Sequence, residues 1–398
     1  MSNVKIFAHN PEQGVIDQVN TLVNHPAFAD TKVRIMPDTH QGIGCVIGFT
    51  ADLGKKIIPS IIGMDLSCGM LTIPLGSDPI DYKKLNDVIL ANVPHGRNIH
   101  DSVQMSNDAI ADLTCYRNLR DTRAIRRSLG TLGGGNHFIS IETGIDGTKY
   151  LIIHTGSRNL GKQIAVHHQK IAIGLSRGEA ELRENINHII TTYKEQGRRT
   201  EISDAIAALK RDFVNSEANI DPDLAYLVDN YRDDYINDMH IAANFAHNNR
   251  YRIAELILDG MGYESRADIP FETIHNYLGS DGIIRKGAIS AQLGEKVLIP
   301  LNMRDGSLIC IGKGNEDWNN SAPHGAGRLM SRNVARSTIK LDDFVESMKG
   351  IVSYTVGEGT LDEAPMAYKD PSDIIDYIDD TVSIVQNIKT AYNFKSFE

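Results

Sequence analysis

Cysteine is scarce in this chain: Cys45, Cys68, Cys115 and Cys310 are the only four in 398 residues, widely spaced and without a C-x-x-C pair. That excludes a disulfide framework, and a reducing compartment suits any cysteine that must act as a thiolate. No apolar run approaches the roughly 20 residues that cross a bilayer, and Met1 to Asn10 carries no signal-peptide pattern. The expected location is therefore cytoplasmic, with no membrane partner. Positive charge is also short: 41 Lys and Arg stand against 51 Asp and Glu, a formal net charge of -10. Phosphate backbones are bound through cationic surface and counterion release, so a nucleic-acid partner would need a local patch that overrides the average. Internal repeats and low-complexity linkers are missing too. With 41% hydrophobic and 23% charged residues, the composition is that of an ordinary globular protein. The length allows one large or two ordinary domains, and without a visible boundary the expectation is one domain over 1–398.

One candidate patch exists. Arg117, Arg120, Arg123, Arg126 and Arg127 fall within eleven residues that read as a helix, on a broad common side. Such a stripe is commonly a solvated face. Here it leads into a glycine run, Gly133-Gly134-Gly135-Asn136-His137, and contact with a nucleic-acid backbone is the expectation.

The richest stretch is Gly63-Met64-Asp65-Leu66-Ser67-Cys68-Gly69-Met70. A carboxylate and a thiol three residues apart, in a turn between glycines, can aim at one point. A thiolate can bridge two metal ions, whereas a carboxylate anchors one. Alone, D-x-x-C is most often a buried inert thiol beside a capping Asp. Three histidines change the balance. His137 closes the glycine run, His154 ends the apolar run Tyr150 to Ile153, and His275 stands in Ile-His-Asn-Tyr. Each reads as a strand end with turn residues beside it, where functional groups sit on rigid scaffolds. Five N, O and S donors from separate elements suit two transition-metal ions.

Taken in order, Met1 to Asp30 reads as a short strand and an amphipathic helix, and Lys32 to Met36 as a strand closed by Pro37-Asp38-Thr39-His40. Asp38 and His40 are candidate partners that orient metal ligands, or simply turn residues. Short strands follow over Gln41 to Pro59 and Leu71 to Pro74, then a helix over Asp81 to Asn92. On the strand after Asn136, period two puts His137, Ile139 and Ile141 on one face and Phe138, Ser140 and Glu142 on the other. Asn159 to Ser176, Gly178 to Ala218 and Pro222 to Asp259 read as helices, an excursion over about 159–260 from a β-rich core. The histidines in it, His167, His168, His188, His240 and His247, read as packing or surface residues. Strands return at Ile283 to Ser290, Lys296 to Leu301, Ser307 to Ile311 and Ile351 to Val356. Ile374, Ile375, Ile378, Val382, Val385 and Ile388 are spaced as an amphipathic C-terminal helix. The fold class is α+β, one domain on a mixed β-sheet core with the metal site at strand ends. Finally, Pro323-His324-Gly325-Ala326-Gly327-Arg328 fixes a histidine on a crowded turn, where a neutral imidazole can attack a phosphate.

Met36 to Gly42, Gly63 to Met70, Ser128 to Phe138, His154 to Arg158, Arg285 to Ala288 and His324 to Arg328 together resemble the sequence blocks of the RtcB family of RNA ligases, in that family's order and over nearly the whole chain. The resemblance implies joining of RNA 3′-phosphate or 2′,3′-cyclic phosphate ends to 5′-hydroxyl ends, with GTP and two Mn²⁺ ions. His324 resembles the guanylylated nucleophile, Cys68 the bridging ligand, and Asp65, His137, His154 and His275 the other ligands. Asn136, Phe138, Ser140, Asn276, Pro300, Leu301, Asn302, Met303, Ser307, Gly325, Ala326, Gly327, Tyr368 and Lys395 match nucleotide-contacting positions. Arg158 and Arg328 resemble RNA- or phosphate-contacting arginines. RNA is the implied partner, with an archease-type activator as a possible second.

The chain departs from the family where Ser140 replaces a glutamate that reads the guanine edge. It departs again at Leu301 to Gly306, where many members have Gly-Ser-Met-Gly, and at Gly42-Ile43-Gly44, where Gly-Lys-Gly is common. Glu142, on the same strand face about 7 Å further along, is the residue expected to reach back, unless base selectivity is relaxed. Two rivals stand beside this reading: a two-metal phosphoesterase without nucleotide, and a catalytically silent RNA-binding protein on the ligase scaffold.

Overall fold

A computed structural model describes residues 3–29, 31–106, 108–213, 221–263 and 269–396. Its centre is a seven-stranded sheet in which every neighbouring pair is antiparallel. The strands lie in the order Lys296–Asn302, Gly306–Gly312, Val382–Lys395, Phe138–Thr143, Lys149–Thr155, Gly69–Gly76 and Phe271–Ile274. The sheet curls until its two outer strands meet: the Leu298 amide donates to Thr273 Oγ1 at 2.9 Å. Leu298 and Ile309 from one side thereby pack with Met70 and Ile152 from the other, inside the curl. Outside it, Ile139, Ile141, Leu151 and Ile153 pack against Ile253 and Ile257 of a helix, Asp229–Met261. Alternate residues of one strand thus serve two cores, as the pleat requires.

A second sheet of five strands, Val4–Ile6, Val33–His40, Ile47–Asp52, Ile283–Lys286 and Tyr277–Leu278, is parallel only at its first pair. The strand Ala288–Ser290 pairs with Ser321–Pro323 and carries the chain to His324. The architecture is α+β, as expected.

Three local expectations are corrected. The tail is not an amphipathic helix: a short helix Ser372–Ile375 gives way to a 14-residue strand, Val382–Lys395, in the middle of the large sheet. The apolar spacing had been read across a turn at Ile378–Asp380. Val385, which a helical stripe would bury, is 62% exposed, and the β-branched run from Val382 to Thr390 favours a pleated surface. The stretch Ile351 to Val356 is irregular, with a single bridge from Val352 to Tyr392. The arginine stripe is no single helix either. A 3₁₀ turn at Tyr116–Asn118 and a helix at Thr122–Arg127 are separated by Asp121, whose φ is 49°.

The helical excursion forms as Arg158–Ser176, Glu179–Glu195, Ile202–Asp212 and Asp229–Met261. Residues 214–218 of the expected second helical pair lie outside the described residues. The last helix, 33 residues long, is more than a side branch. Its fully buried Asn249 accepts from the Gly130 and Thr131 amides at 2.7 and 3.0 Å and donates to the Thr131 and Gly156 carbonyls, both at 3.1 Å. Arg250, equally buried, donates to the Ser67 and Thr155 carbonyls at 3.0 Å and to Glu272 at 2.7 Å. These two side chains satisfy backbone groups of the turns around Cys68 and His154 that no ladder reaches. Arg250→Met is expected to cost about 3 kcal/mol or more, because it takes the buried guanidinium from Glu272 and leaves the Ser67 and Thr155 carbonyls without its bonds. Denaturant unfolding of the variant measures the loss.

Candidate metal centre and adjoining cavity

Antiparallel pairing brings starts and ends of adjacent strands to one end of the sheet. His137 precedes the strand Phe138–Thr143, and His154 lies opposite both Phe138 and Met70. Cys68 precedes Gly69, and the His275 amide donates to the Cys68 carbonyl at 2.8 Å. The Asp65 to Cys68 turn is shaped by Gly63 at φ 97° and Ser67 at φ 56°. It sits so close to Gly156 that a Cβ there would meet Asp65 Oδ1 at 2.5 Å.

Five donors converge. Cys68 Sγ lies 3.3 Å from His137 Nε2 and 3.2 Å from His154 Nε2. Asp65 Oδ2 is 3.0 Å from His137 Nε2, and His275 Nε2 is 3.4 Å from His154 Nε2. They form two triads, Asp65/Cys68/His137 and Cys68/His154/His275, with Cys68 in both and the donor atoms of each within 4.8 Å of one another. His137 Nδ1 faces the Leu132 carbonyl at 2.8 Å and His154 Nδ1 the Asn136 carbonyl at 3.2 Å. Carbonyls only accept, so Nδ1 carries a proton, and with a cation bound Nε2 would offer its lone pair to the cluster.

The electrostatics fit cations. Burial, then neighbouring imidazoles, pushes His154 and His275 well below the usual histidine range, which keeps them neutral ligands. Burial raises the Asp65 carboxyl, but the charge and hydrogen bond of His137 outweigh it and hold Asp65 down at about 2. Burial and the Asp65 charge push the Cys68 thiol well up. Ionising that thiol therefore calls for positive charge among the donors, which a bound dication supplies. One carboxylate, one shared thiolate and three imidazoles suit a pair of borderline divalent ions.

His324 stands beside this centre, its ring 5.0 Å from that of His275 and its side chain 21% exposed. Its Nδ1 lies 2.7 Å from Asp38 Oδ2, and its amide donates to the same oxygen at 3.2 Å. Asp38 thus orients His324 rather than a metal ligand, correcting the role considered for it. The pairing of its strand is irregular between Ile35 and His40, where Asp38 lies. Among the described residues, His40 makes no contact with the five donors either; its Nδ1 lies 3.1 Å from the Asp38 carbonyl.

A cavity of about 300 Å³ opens between His324, His154 and His275. Of the expected contact residues, Asn136, Phe138, Asn276, Pro300 to Met303, Gly325 to Arg328, Tyr368 and Lys395 line it. Three do not. Ser140 is fully buried and donates to Glu142 Oε1 at 3.1 Å, and Ser307 is buried behind the wall. Arg158 is turned into the glycine run, donating to Thr131 Oγ1 at 3.2 Å and to the Gly96 carbonyl at 3.3 Å. The loop around His95, to which sequence assigned nothing, therefore holds that arginine.

Glu142, Arg332 and Asn393 also line the cavity. Glu142 is buried, and burial lifts its carboxyl to about 7 against the hydrogen bonds of Ser307 and Ser140. Elsewhere, Cys115, His168 and Asp238 form another buried triad. There Asp238 already accepts from the Thr114 and Cys115 amides and faces His168 Nε2 at 2.9 Å. This hydrogen bonding matches the packing role expected of His168.

Fold and donor set together define an α+β protein with a candidate two-cation centre beside a polar cavity. Comparison with known proteins adds the lineage. The family profile described as tRNA-splicing ligase RtcB matches residues 18–120 and 111–396, and the chain belongs to the RtcB family. It is 28% identical to the RNA-splicing ligase RtcB of Escherichia coli (strain K12), over 91% of this chain and 89% of that protein. The tRNA-splicing ligase RtcB of Aeropyrum pernix is 27% identical, with 84% and 82% covered. That of Archaeoglobus fulgidus is 24% identical, with 92% and 87% covered. No helix among the described residues is long and apolar enough to cross a membrane.

The raised Glu142 carboxyl has a measurable consequence. Its folded pKa lies above the unfolded value, so the folded state holds the proton more tightly and stability falls as pH rises from 4.5 through about 7. Glu142→Gln mimics the protonated form. It is expected to leave the unfolding midpoint unchanged at pH 4.5 and to raise it at pH 8, which thermal denaturation at the two pH values checks.

Proposed function

We propose that this chain is an RNA ligase that joins a 3′-phosphate or 2′,3′-cyclic phosphate end to a 5′-hydroxyl end, with GTP and Mn²⁺. The observation that carries the reading is His324, tied through Nδ1 to a fully buried Asp38 at the mouth of a cavity that also meets His154 and His275. With Nδ1 as donor to the carboxylate, the lone pair is at Nε2, the arrangement a nucleophilic imidazole needs. Nε2 bonds to the α-phosphorus of GTP and pyrophosphate leaves. A 2′,3′-cyclic end is first opened by water to the 3′-phosphate; GMP then passes from Nε2 to an oxygen of the RNA 3′-phosphate as the N–P bond breaks, and the 5′-hydroxyl displaces GMP to form the phosphodiester.

Asp65, Cys68, His137, His154 and His275 would hold two Mn²⁺ ions, which when bound neutralise phosphate charge that otherwise repels attack. Asp38 steadies the imidazole as positive charge develops on it. Gly325, whose absent Cβ would lie 3.1 Å from the Pro300 carbonyl, keeps the turn after the nucleophile tight. The relatives' names, RNA-splicing and tRNA-splicing ligase, support RNA as the substrate class. The shared thiol in two donor triads supports a pair of ions rather than one.

Incubation with Mn²⁺ and α-labelled GTP tests the reading. Wild type is expected to retain label through denaturation, His324→Ala to retain none, and Asp38→Asn to label about a hundredfold more slowly while remaining folded. Unlabelled wild type that still cleaves RNA ends would mean a phosphoesterase, and inert RNA binding a silent scaffold.

Guanine selection falls to Glu142 in this proposal. A carboxylate in the wall suits the N–H donors of the guanine edge, where adenine presents a ring acceptor. GTP is expected to be preferred over ATP, more strongly as pH rises through about 7. Glu142→Ala is expected to reduce that preference about tenfold or more. A variant with unchanged preference removes Glu142 from the role.

A further inference from the structure

One wall of the cavity is cationic, and three of its cations and a hydroxyl converge on one carboxylate. Glu363 closes the turn Glu358–Glu363 and is 2% exposed. Its Oε2 accepts from the Tyr368 hydroxyl at 2.6 Å and from the Lys395 ammonium. Its Oε1 lies 3.2 Å from Arg328 Nη1 and 3.3 Å from Arg332 Nη2. All four donors line the cavity. The neighbouring Asp362, equally buried, takes Arg332 at 3.5 Å and Arg336 at 3.2 Å.

Lys395 shows what this accomplishes. It ends the strand Val382–Lys395, is 4% exposed, and has as its other partner the Asn136 carbonyl at 3.3 Å. A buried ammonium next to two guanidinium groups would shed its proton or turn away without a counter-charge. Three cations of the cavity wall, Arg328, Arg332 and Lys395, together with Arg336, which is not among the lining residues, face two carboxylates, so the cluster keeps a formal excess of positive charge. That excess suits an anionic group.

We propose that Glu363 is a positioning residue. By sharing one carboxylate among Lys395, Tyr368, Arg328 and Arg332, it holds the lysine ammonium in the cavity and presets the wall that receives the anionic part of the nucleotide. The assignment of the anion to a nucleotide rests on the function proposed above; the clamp on Lys395 does not.

The test has two arms. In the first, full-length wild type and Glu363→Gln are exposed to an amine-reactive reagent at one fixed pH and the peptides are quantified by mass spectrometry. Lys395 is expected to be protected in wild type and about tenfold more modified in the variant. Lys286, buried and held by the Cys45 and Ser60 carbonyls at 3.2 and 3.4 Å, stays protected in both and reports that the fold is intact. If Lys286 also becomes reactive, Glu363→Asp replaces it, with a smaller rise at Lys395 alone expected. Equal modification of Lys395 in wild type and in a folded variant overturns the proposal.

The second arm measures labelling with α-labelled GTP. Half-saturating GTP is expected to rise about tenfold in Glu363→Gln, with a much smaller fall in the rate at saturation. Lys395→Met is expected to raise half-saturating GTP about tenfold in wild type and less than about twofold on top of Glu363→Gln, because the two act as one unit. A full additive loss overturns the proposal. Unlabelled wild type defeats the nucleotide reading, and the first arm still decides whether Glu363 holds Lys395.

Discussion

Antiparallel pairing of four consecutive strands is the constraint from which the rest follows. Because direction alternates across the sheet, the start of one strand and the end of the next share an edge, and His137, His154, Cys68 and His275 are all edge residues. A one-residue slip in any of these registers would send a donor to the opposite face and break at least one triad. The thiol common to the two triads is therefore a product of register as much as of chemistry. The long helix Asp229–Met261 defends that register from outside, where Asn249 and Arg250 tie down the turns that carry the ligands.

The second set of residues is assembled differently. His324 and Asp38 come from the smaller sheets, and the cationic wall from turns between residues 328 and 368 together with the end of the strand at Lys395. The cavity is the seam between these parts and the curled sheet. Carboxylate, thiol and imidazole groups sit on the rigid side, with cationic side chains facing them. Neutral imidazoles and a reluctant thiol on one side, and surplus guanidinium charge on the other, give the seam two distinct electrostatic halves.

Much of this was legible in the sequence, for a physical reason. Asp65, Cys68 and the three histidines each stand where an apolar run meets glycine or a polar turn, and such junctions mark strand ends in one dimension as in three. His324, between proline and glycine, is equally conspicuous. Asp38 was visible as a residue but not by its target, since which of two turns it meets depends on an irregularity in pairing that no periodicity records. Asn249, Arg250 and Glu363 gave no signal: in sequence, an inward polar side chain on a helix or short turn looks the same as an outward one. The tail failed for the opposite reason. Its branched apolar residues fit helical spacing by chance across a turn, and their preference for a pleated surface prevailed.

The order of these parts along the chain has a consequence for biosynthesis. Every donor for the cations lies between residues 65 and 275, and the strands that carry them pair with one another, whereas the groups that line the opposite wall lie between residues 300 and 395. An emerging polypeptide can therefore complete a seat for divalent ions before it has made the imidazole and ammonium groups that would engage a nucleotide. The cavity is complete only when the last strand, ending at Lys395, takes its place in the sheet between Gly306–Gly312 and Phe138–Thr143.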